Sequence, residues 1–280
     1  MRHATVLSSL LVIVWGQGKK NAEVTTTEPA TSSKPSQKNY EMIGDYKRVG
    51  TLGSGVAGIV YEVEKGGVHF ALKRSKDKWD KSIQEEFEVM SKLNAAEGFP
   101  KVHALFKCDG RDCLVMDLVG PVVSRLQRQL SRFPPETVGS LGIQLVDRLE
   151  AMHKQGIVHG DFYRNNMAIG RGKSSGTIFA IDFGQVGSKR PKKFDVKSVL
   201  CTVLGLLAVS ENCSHDEDYS RNSKLKIPSV VAELTKYVES LSSDSRIDYD
   251  KLRTYMRKLM GKHEYKGQIV WPEELLSVLN

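Results

Sequence analysis

The chain has 280 residues, 40% of them hydrophobic and 26% charged, which suits one large or two small globular lobes with a real core. Its net charge is +8 with a pI near 9.2. No aromatic interleaving and no nucleic-acid motif accompany that charge, so a nucleic-acid partner is not expected. After Arg2 and His3 an apolar run extends from Ala4 to Trp15. It is too short for a comfortable membrane span, and Val14 and Gly16 suit cleavage before Gln17. Residues 1–16 are expected to be a secretory signal, leaving no stable membrane span after cleavage. Residues 17–42 are rich in Thr, Ser, Lys, Pro and Asn without apolar periodicity, and are expected to be a disordered linker. The destination expected is the secretory pathway or the outside of the cell, with delivery into another cell as an extension. The remainder, 43–280, is expected to fold.

Tyr46 to Lys73 has a strand pattern, with a turn at Gly66-Gly67. Lys78 to Asn94 changes to a helical period through Ile83, Phe87, Met90 and Leu93, and places Glu86 beside that stripe. Two further strands follow, at 102–106 and 114–116, so the first lobe (43–117) is expected to hold five antiparallel strands and one helix. Beyond Gly120-Pro121 the second lobe (121–280) is expected to be mainly helical. Its long helix runs from Pro135 to His153, short strands are expected around Met167 to Ile169 and Thr177 to Ile181 by the acid loop, and helices follow at 196–207, 230–241 and 249–260. Cys108 and Cys113 flank a turn-like Asp109-Gly110-Arg111-Asp112, so their sulfurs could meet across a hairpin. Cys201, in an apolar run 12 residues before Cys213, has a buried free thiol as its default, and the pairing of the four cysteines stays open at this point. Asn212-Cys213-Ser214 has the form of a glycosylation site.

Four motifs carry chemistry. Gly53, Gly55 and Gly58 form a glycine-rich loop that ends at Val60, where backbone amides can approach phosphates without a Cβ in the way. Lys73, on the next expected strand, can hold phosphate oxygens, and Glu86 can pair with it. Asp161, in His159-Gly160-Asp161, can orient an attacking hydroxyl and take its proton. Asp182, in Asp182-Phe183-Gly184, can bind a metal that bridges phosphates, with Asn166 as a second metal contact. His159 is expected to pack near Phe183 rather than act as a base. The catalytic set is Asp161, Lys73 and Asn166. The metal set is Asn166 and Asp182, and the cofactors expected are ATP with Mg2+ or Mn2+.

Together these motifs resemble the eukaryotic protein kinase superfamily, and within it the casein kinase 1 group. The resemblance covers about 44–276. Gly98-Phe99-Pro100, the stretch Leu114 to Pro121, and Asp248-Tyr249-Asp250-Lys251-Leu252-Arg253 are similar to that group's characteristic segments. The resemblance implies an α+β, bilobal protein-kinase-like fold with ATP between the lobes. It implies adenine against Ala71, Met116 and Ala168, hydrogen bonds from the backbone of Asp117 and Val119, and a protein substrate, with an acidic one favoured by basic residues near the site.

The departures are substantial. Where the family has a lysine two positions after the catalytic aspartate, this chain has Tyr163, followed by Arg164. Only residues 185–194 separate Gly184 from Asp195, where the family places a much longer peptide-binding segment. The basic run Lys189-Arg190-Pro191-Lys192-Lys193 falls there and reads as a solvated loop near the cleft. Three functions remain open on this reading: an atypical secreted serine/threonine kinase, a pseudokinase that binds nucleotide or protein, and a kinase for a small molecule.

Overall fold

The computed structural model describes residues 41–55, 58–78, 80–130, 132–186, 190–208 and 228–279. Residues 1–40, with the expected signal and most of the expected linker, lie outside that range. So do Val56 and Ala57 of the glycine loop, Lys189 of the basic run, and Asn212-Cys213-Ser214.

Among the described residues the first lobe is an antiparallel sheet of six strands in the order β1-β2-β3-β4-β6-β5. These are β1 (Met42–Ile43), β2 (Tyr46–Ser54), β3 (Gly58–Lys65), β4 (Val68–Ser75), β5 (Val102–Cys108) and β6 (Arg111–Asp117). The sixth strand is β1, where five strands were expected. Met42 and Ile43 pair with Lys47 and Tyr46 around Gly44, whose φ is +58°. Ile43 is buried with Tyr61, Val63 and Leu72, and its strand neighbour Met42 is the last residue of the segment read as linker. Two residues are too few for periodicity to reveal.

The two-residue period of the strands sorts side chains onto two faces. Tyr61, Val63, Leu72 and Val115 cover the outer face, while Val60, Ala71, Leu114 and Met116 join the main core. Lys73, one residue on from Leu72, therefore faces the cleft. Helix α1 (Ser82–Leu93) buries Ile83, Glu86, Met90 and Leu93. It starts later than the expected Lys78, because the Asp80 carboxylate accepts from the backbone N–H and hydroxyl of Ser82 at 2.8 and 2.9 Å. The sulfurs of Cys108 and Cys113 are joined across the β5–β6 turn.

The second lobe contains α2 (Val123–Gln127), α3 (Pro135–Lys154), β7 (Met167–Ile169), β8 (Ile178–Ala180), α4 (Lys193–Leu206), α5 (Ser229–Ser240), α6 (Tyr249–Leu259) and α7 (Glu273–Leu279). Short α2 and α7 were not anticipated. The main core runs continuously from Leu52 and Ala71 in the sheet through α3 and α4 to Leu275 in α7. Gly98 lies between the lobes with φ +82°, and a Cβ there would sit 1.7 Å from Nε of Arg148. Only glycine allows that approach, and Arg148 then donates to the carbonyl of Ile178 at 3.2 Å. Cys201 is disulfide-bonded, which corrects the expectation of a free thiol. The apolar helix around it gave no sign of a bonded sulfur. No helix among the described residues is long and apolar enough to cross a membrane.

Candidate active site

Between the lobes lies a cleft of about 560 Å3, counted with its open mouth. Leu52, Val60, Ala71, Met116 and Ile181 supply apolar walls, and Lys73, Glu86 and Asp182 supply charge at one end. Asp117, Leu118 and Val119 line it along the link between lobes. Of the residues expected to surround adenine, Ala71, Met116, Asp117 and Val119 therefore meet at one surface. Ala168 does not line the cleft. It is fully buried with Val122 and Ile181, paired across β7 and β8 with Phe179, and Ile181 is the side chain that reaches the cleft wall.

The charged end is tightly built. Lys73 Nζ lies 2.5 Å from Oε2 of Glu86 and 2.8 Å from Oδ1 of Asp182. Lys73 is only 4% exposed and Glu86 1%, so this pair is shielded from solvent in a way surface pairs are not. Glu86 also accepts from the backbone N–H of Phe183 at 3.1 Å, while Glu85 and Glu88 face outward. Burial works against the Lys73 charge, but Asp182 and Glu86 outweigh it and raise its pKa. Burial likewise opposes ionisation of Asp182, and Lys73 outweighs it, holding that carboxyl below the usual range. Glu86 is pushed up by burial, with Asp182 adding to the push. Asp182 has φ +62°, an uncommon conformation for a residue with a side chain, of the kind that concentrates at functional sites.

The segment 159–166 supplies the other acid. The His159 ring is fully buried, 4.9 Å from the Phe183 ring, and its Nε2 donates to the Ile181 carbonyl at 3.1 Å. That is the packing role read from the sequence. Asp161 Oδ2 accepts from Asn166 Nδ2 at 2.9 Å, and the same amide reaches the Asp161 carbonyl at 2.9 Å. Burial raises the Asp161 pKa and nearby Asp182 adds to that, while His159, Asn166 and Arg190 pull it back.

Two contributors escaped the sequence reading. Asp195, in the first turn of α4, is fully buried. Its carboxylate accepts from the backbone N–H of His159 at 2.8 Å and of Gly160 at 2.9 Å, and from Nε2 of His153 at 3.1 Å. The other nitrogen of His153 lies 2.7 Å from the Tyr249 hydroxyl. Asp195 thus fixes the loop that carries Asp161. Its position before an apolar run was the only signal available. The second is Arg190, which donates to the carbonyl of Gly160 and lies with its guanidinium carbon 4.3 Å over the Phe194 ring. The reading of a solvated loop fails for this residue, although Lys192 is exposed.

Gly53 lies near the end of β2, Gly55 follows that strand, and Gly58 opens β3. Gly53 pairs with Val60, and the N–H of Gly55 donates to the Gly58 carbonyl at 2.9 Å. A Cβ on Gly58 would lie 2.5 Å from the Arg74 carbonyl, so strand packing alone requires glycine there.

Residues 46–209, more than half of the chain, match the protein kinase domain family. The chain belongs to the protein kinase superfamily. Casein kinase I homolog 3 of Schizosaccharomyces pombe is 28% identical over 166 residues, which cover 55% of this chain and 37% of that relative. The kinase chain thus matches well under half the length of this curated relative, and the similarity supports a casein kinase 1-like member. A protein kinase domain implies ATP and a divalent metal ion.

The residues at the charged end fit such an ion. Asn166 Oδ1 is buried and has no hydrogen-bond partner, an acceptor left open on the amide that holds Asp161. Glu86 and Asp182 share one ammonium, which favours a further cation. No group of three or more His, Cys, Asp or Glu that could hold a metal occurs among the described residues. This donor set suits an ion that takes part of its coordination from phosphates and water. The usual lysine of the kinase catalytic loop remains missing, with Tyr163 in its place, and only residues 185–192 join Gly184 to α4.

Proposed function

We propose that this kinase transfers the γ-phosphoryl group of ATP to a serine or threonine hydroxyl of a protein. The observation that carries this reading is the buried Lys73 ammonium held between Glu86 and Asp182, close to a loop that presents Asp161 and an open Asn166 oxygen. Lys73 would hold the α- and β-phosphates, with Glu86 fixing its position. Asp161 would orient the acceptor hydroxyl and take its proton, its carboxylate aimed by the amide of Asn166. Asp182 and the Asn166 oxygen would hold magnesium or manganese, which when bound neutralises charge on the phosphates. The apolar walls at Leu52, Val60, Ala71 and Ile181 would take the adenine and exclude water.

The second reading is a nucleotide-binding pseudokinase, favoured by Tyr163. Loss of one charge at the transferring phosphoryl can slow reaction by about 100- to 1000-fold. A secretory destination is part of the proposal. The Cys108–Cys113 disulfide and the bonded Cys201 support an oxidising route. The exposed Lys192 and the half-buried Lys193, which follow Arg190 closely in the chain, support an acidic substrate.

The test is phosphate transfer from labelled ATP to serine and threonine peptides, some flanked by Glu and some neutral. Transfer to the acidic set, abolished in Asp161→Asn while nucleotide still binds, is expected. Binding of nucleotide with no transfer to any peptide would select the pseudokinase reading.

A further inference from the structure

Phosphoryl transfer spreads negative charge over the oxygens of the moving group, and a fixed cation beside the acceptor stabilises it. In the resembled family a lysine two positions after the catalytic aspartate does this, and the tyrosine at 163 carries no such charge. On the kinase reading above, we propose that Arg190 supplies this charge from the short segment ahead of α4.

The geometry places it well. Nη1 of Arg190 donates to the carbonyl of Gly160, the residue immediately before Asp161. The guanidinium lies over the ring of Phe194, with its carbon 4.3 Å from the centroid. Phe194 belongs to the first turn of α4, and its N–H donates to the Pro191 carbonyl at 2.9 Å, which closes the chain tightly behind Arg190. The N–H of the same Gly160 is held by Asp195, also on α4, at 2.9 Å. Arg190 and Asp161 are thus tied to one another through a single glycine, whose carbonyl is engaged by Arg190 just ahead of α4 and whose N–H is engaged by Asp195 in the first turn of α4.

Arg190 is half-buried rather than sealed, and its charge is felt at the Asp161 carboxyl. A guanidinium carries five N–H donors and stays charged at any pH a protein survives, so donors remain for phosphoryl oxygens after Gly160 is served. Stacking on Phe194 fixes the plane of the fork in advance, which lowers the entropy lost on engaging a substrate. Arg164 is the nearer arginine in sequence. Its backbone carbonyl accepts from Ser124 N–H at 3.1 Å, but no such anchoring of its side chain to the catalytic loop is present among the described residues.

The step balances without any change at Arg190. The acceptor oxygen forms a bond to the γ-phosphorus, and its proton passes to the Asp161 carboxylate. The bond from that phosphorus to the bridging oxygen breaks, and the electron pair leaves with ADP. The shortened segment would thereby replace one catalytic group while losing the peptide platform.

The test uses the full chain and measures kcat, the KM for ATP and the Kd of ATP, with a Glu-flanked serine peptide as acceptor. Arg190→Gln is expected to lower kcat about 100-fold while the ATP Kd changes less than about threefold. Arg190→Lys, which keeps the charge, is expected to retain roughly a tenth of kcat or more. Adding Tyr163→Lys to Arg190→Gln is expected to recover at least about tenfold, because it returns a cation to the same phosphoryl oxygens. A purely structural role for Arg190 would give loss without that recovery. Arg190→Gln with near-normal kcat, or no recovery by Tyr163→Lys, would overturn the proposal and leave the kinase function standing. A wild-type chain that binds ATP but transfers nothing would remove the kinase function, and the role of Arg190 with it.

Discussion

Replacing Asp195 by Ala should be among the most damaging single changes available outside the cleft. Its carboxylate receives three donors, from His159, Gly160 and His153, and all three sit in a region sealed from water. Each buried donor left unpaired costs about 1–3 kcal/mol, so the change should cost on the order of 5 kcal/mol. For a domain of this size that corresponds to a fall of about 10–20 °C in Tm. Asp195→Asn keeps one acceptor oxygen but turns an amide toward a donor, and should fall between Ala and wild type. Burial opposes ionisation of Asp195, yet its hydrogen bonds from His153 and the Gly160 N–H hold the carboxyl below the usual range. Its contribution is therefore present above the unfolded Asp value near 3.9 and is lost as pH falls through the lower folded value. The assay is thermal melting at neutral and acidic pH, beside wild type. An Asp195→Ala protein that melts within about 2 °C of wild type would refute the claim that this carboxylate holds the loop.

Asp161 should impose an acid limb on kcat/KM above the ordinary carboxylate value near 3.9, because burial raises its pKa and a base must be ionised to accept a proton. A pH–rate profile flat down to that value would contradict its role. Removing the Cys108–Cys113 bond by double replacement with Ser opens a loop with a sequence separation of 5. It should cost about 2 kcal/mol, or roughly 4–8 °C by calorimetry. Asn166→Ala should weaken magnesium-dependent nucleotide binding while binding without metal changes little, since its Oδ1 has no partner in the protein to lose. A titration of ATP affinity against magnesium measures this directly.

The sequence made much of the site legible because it rests on spacing. Glu86 sits beside an apolar stripe of period 3.6, and Lys73 alternates with Leu72 on a strand, so their meeting follows from two periods. Gly98 and the glycine turn are marked by composition. What stayed hidden depends on long-range contact. Asp195 precedes an apolar run and looks like the start of any helix, yet its value comes from two backbone amides far away in the chain. Arg190 sits among lysines, and a basic run reads as solvated until one member is found under a carbonyl. Ala168 was assigned to the adenine by resemblance, but it is fully buried against Ile181, and it is Ile181 that lines the cleft. Cys201 gave no local sign of its bond, since apolar burial suits a free thiol equally well.

The central claim, a competent phosphotransfer site, is tested most directly by ADP formation from ATP by the full chain as magnesium is titrated, beside Asp182→Ala. The account predicts saturable, magnesium-dependent ADP formation that Asp182→Ala removes. Equal ADP formation by both proteins, or no nucleotide binding by wild type with magnesium or manganese, would contradict it.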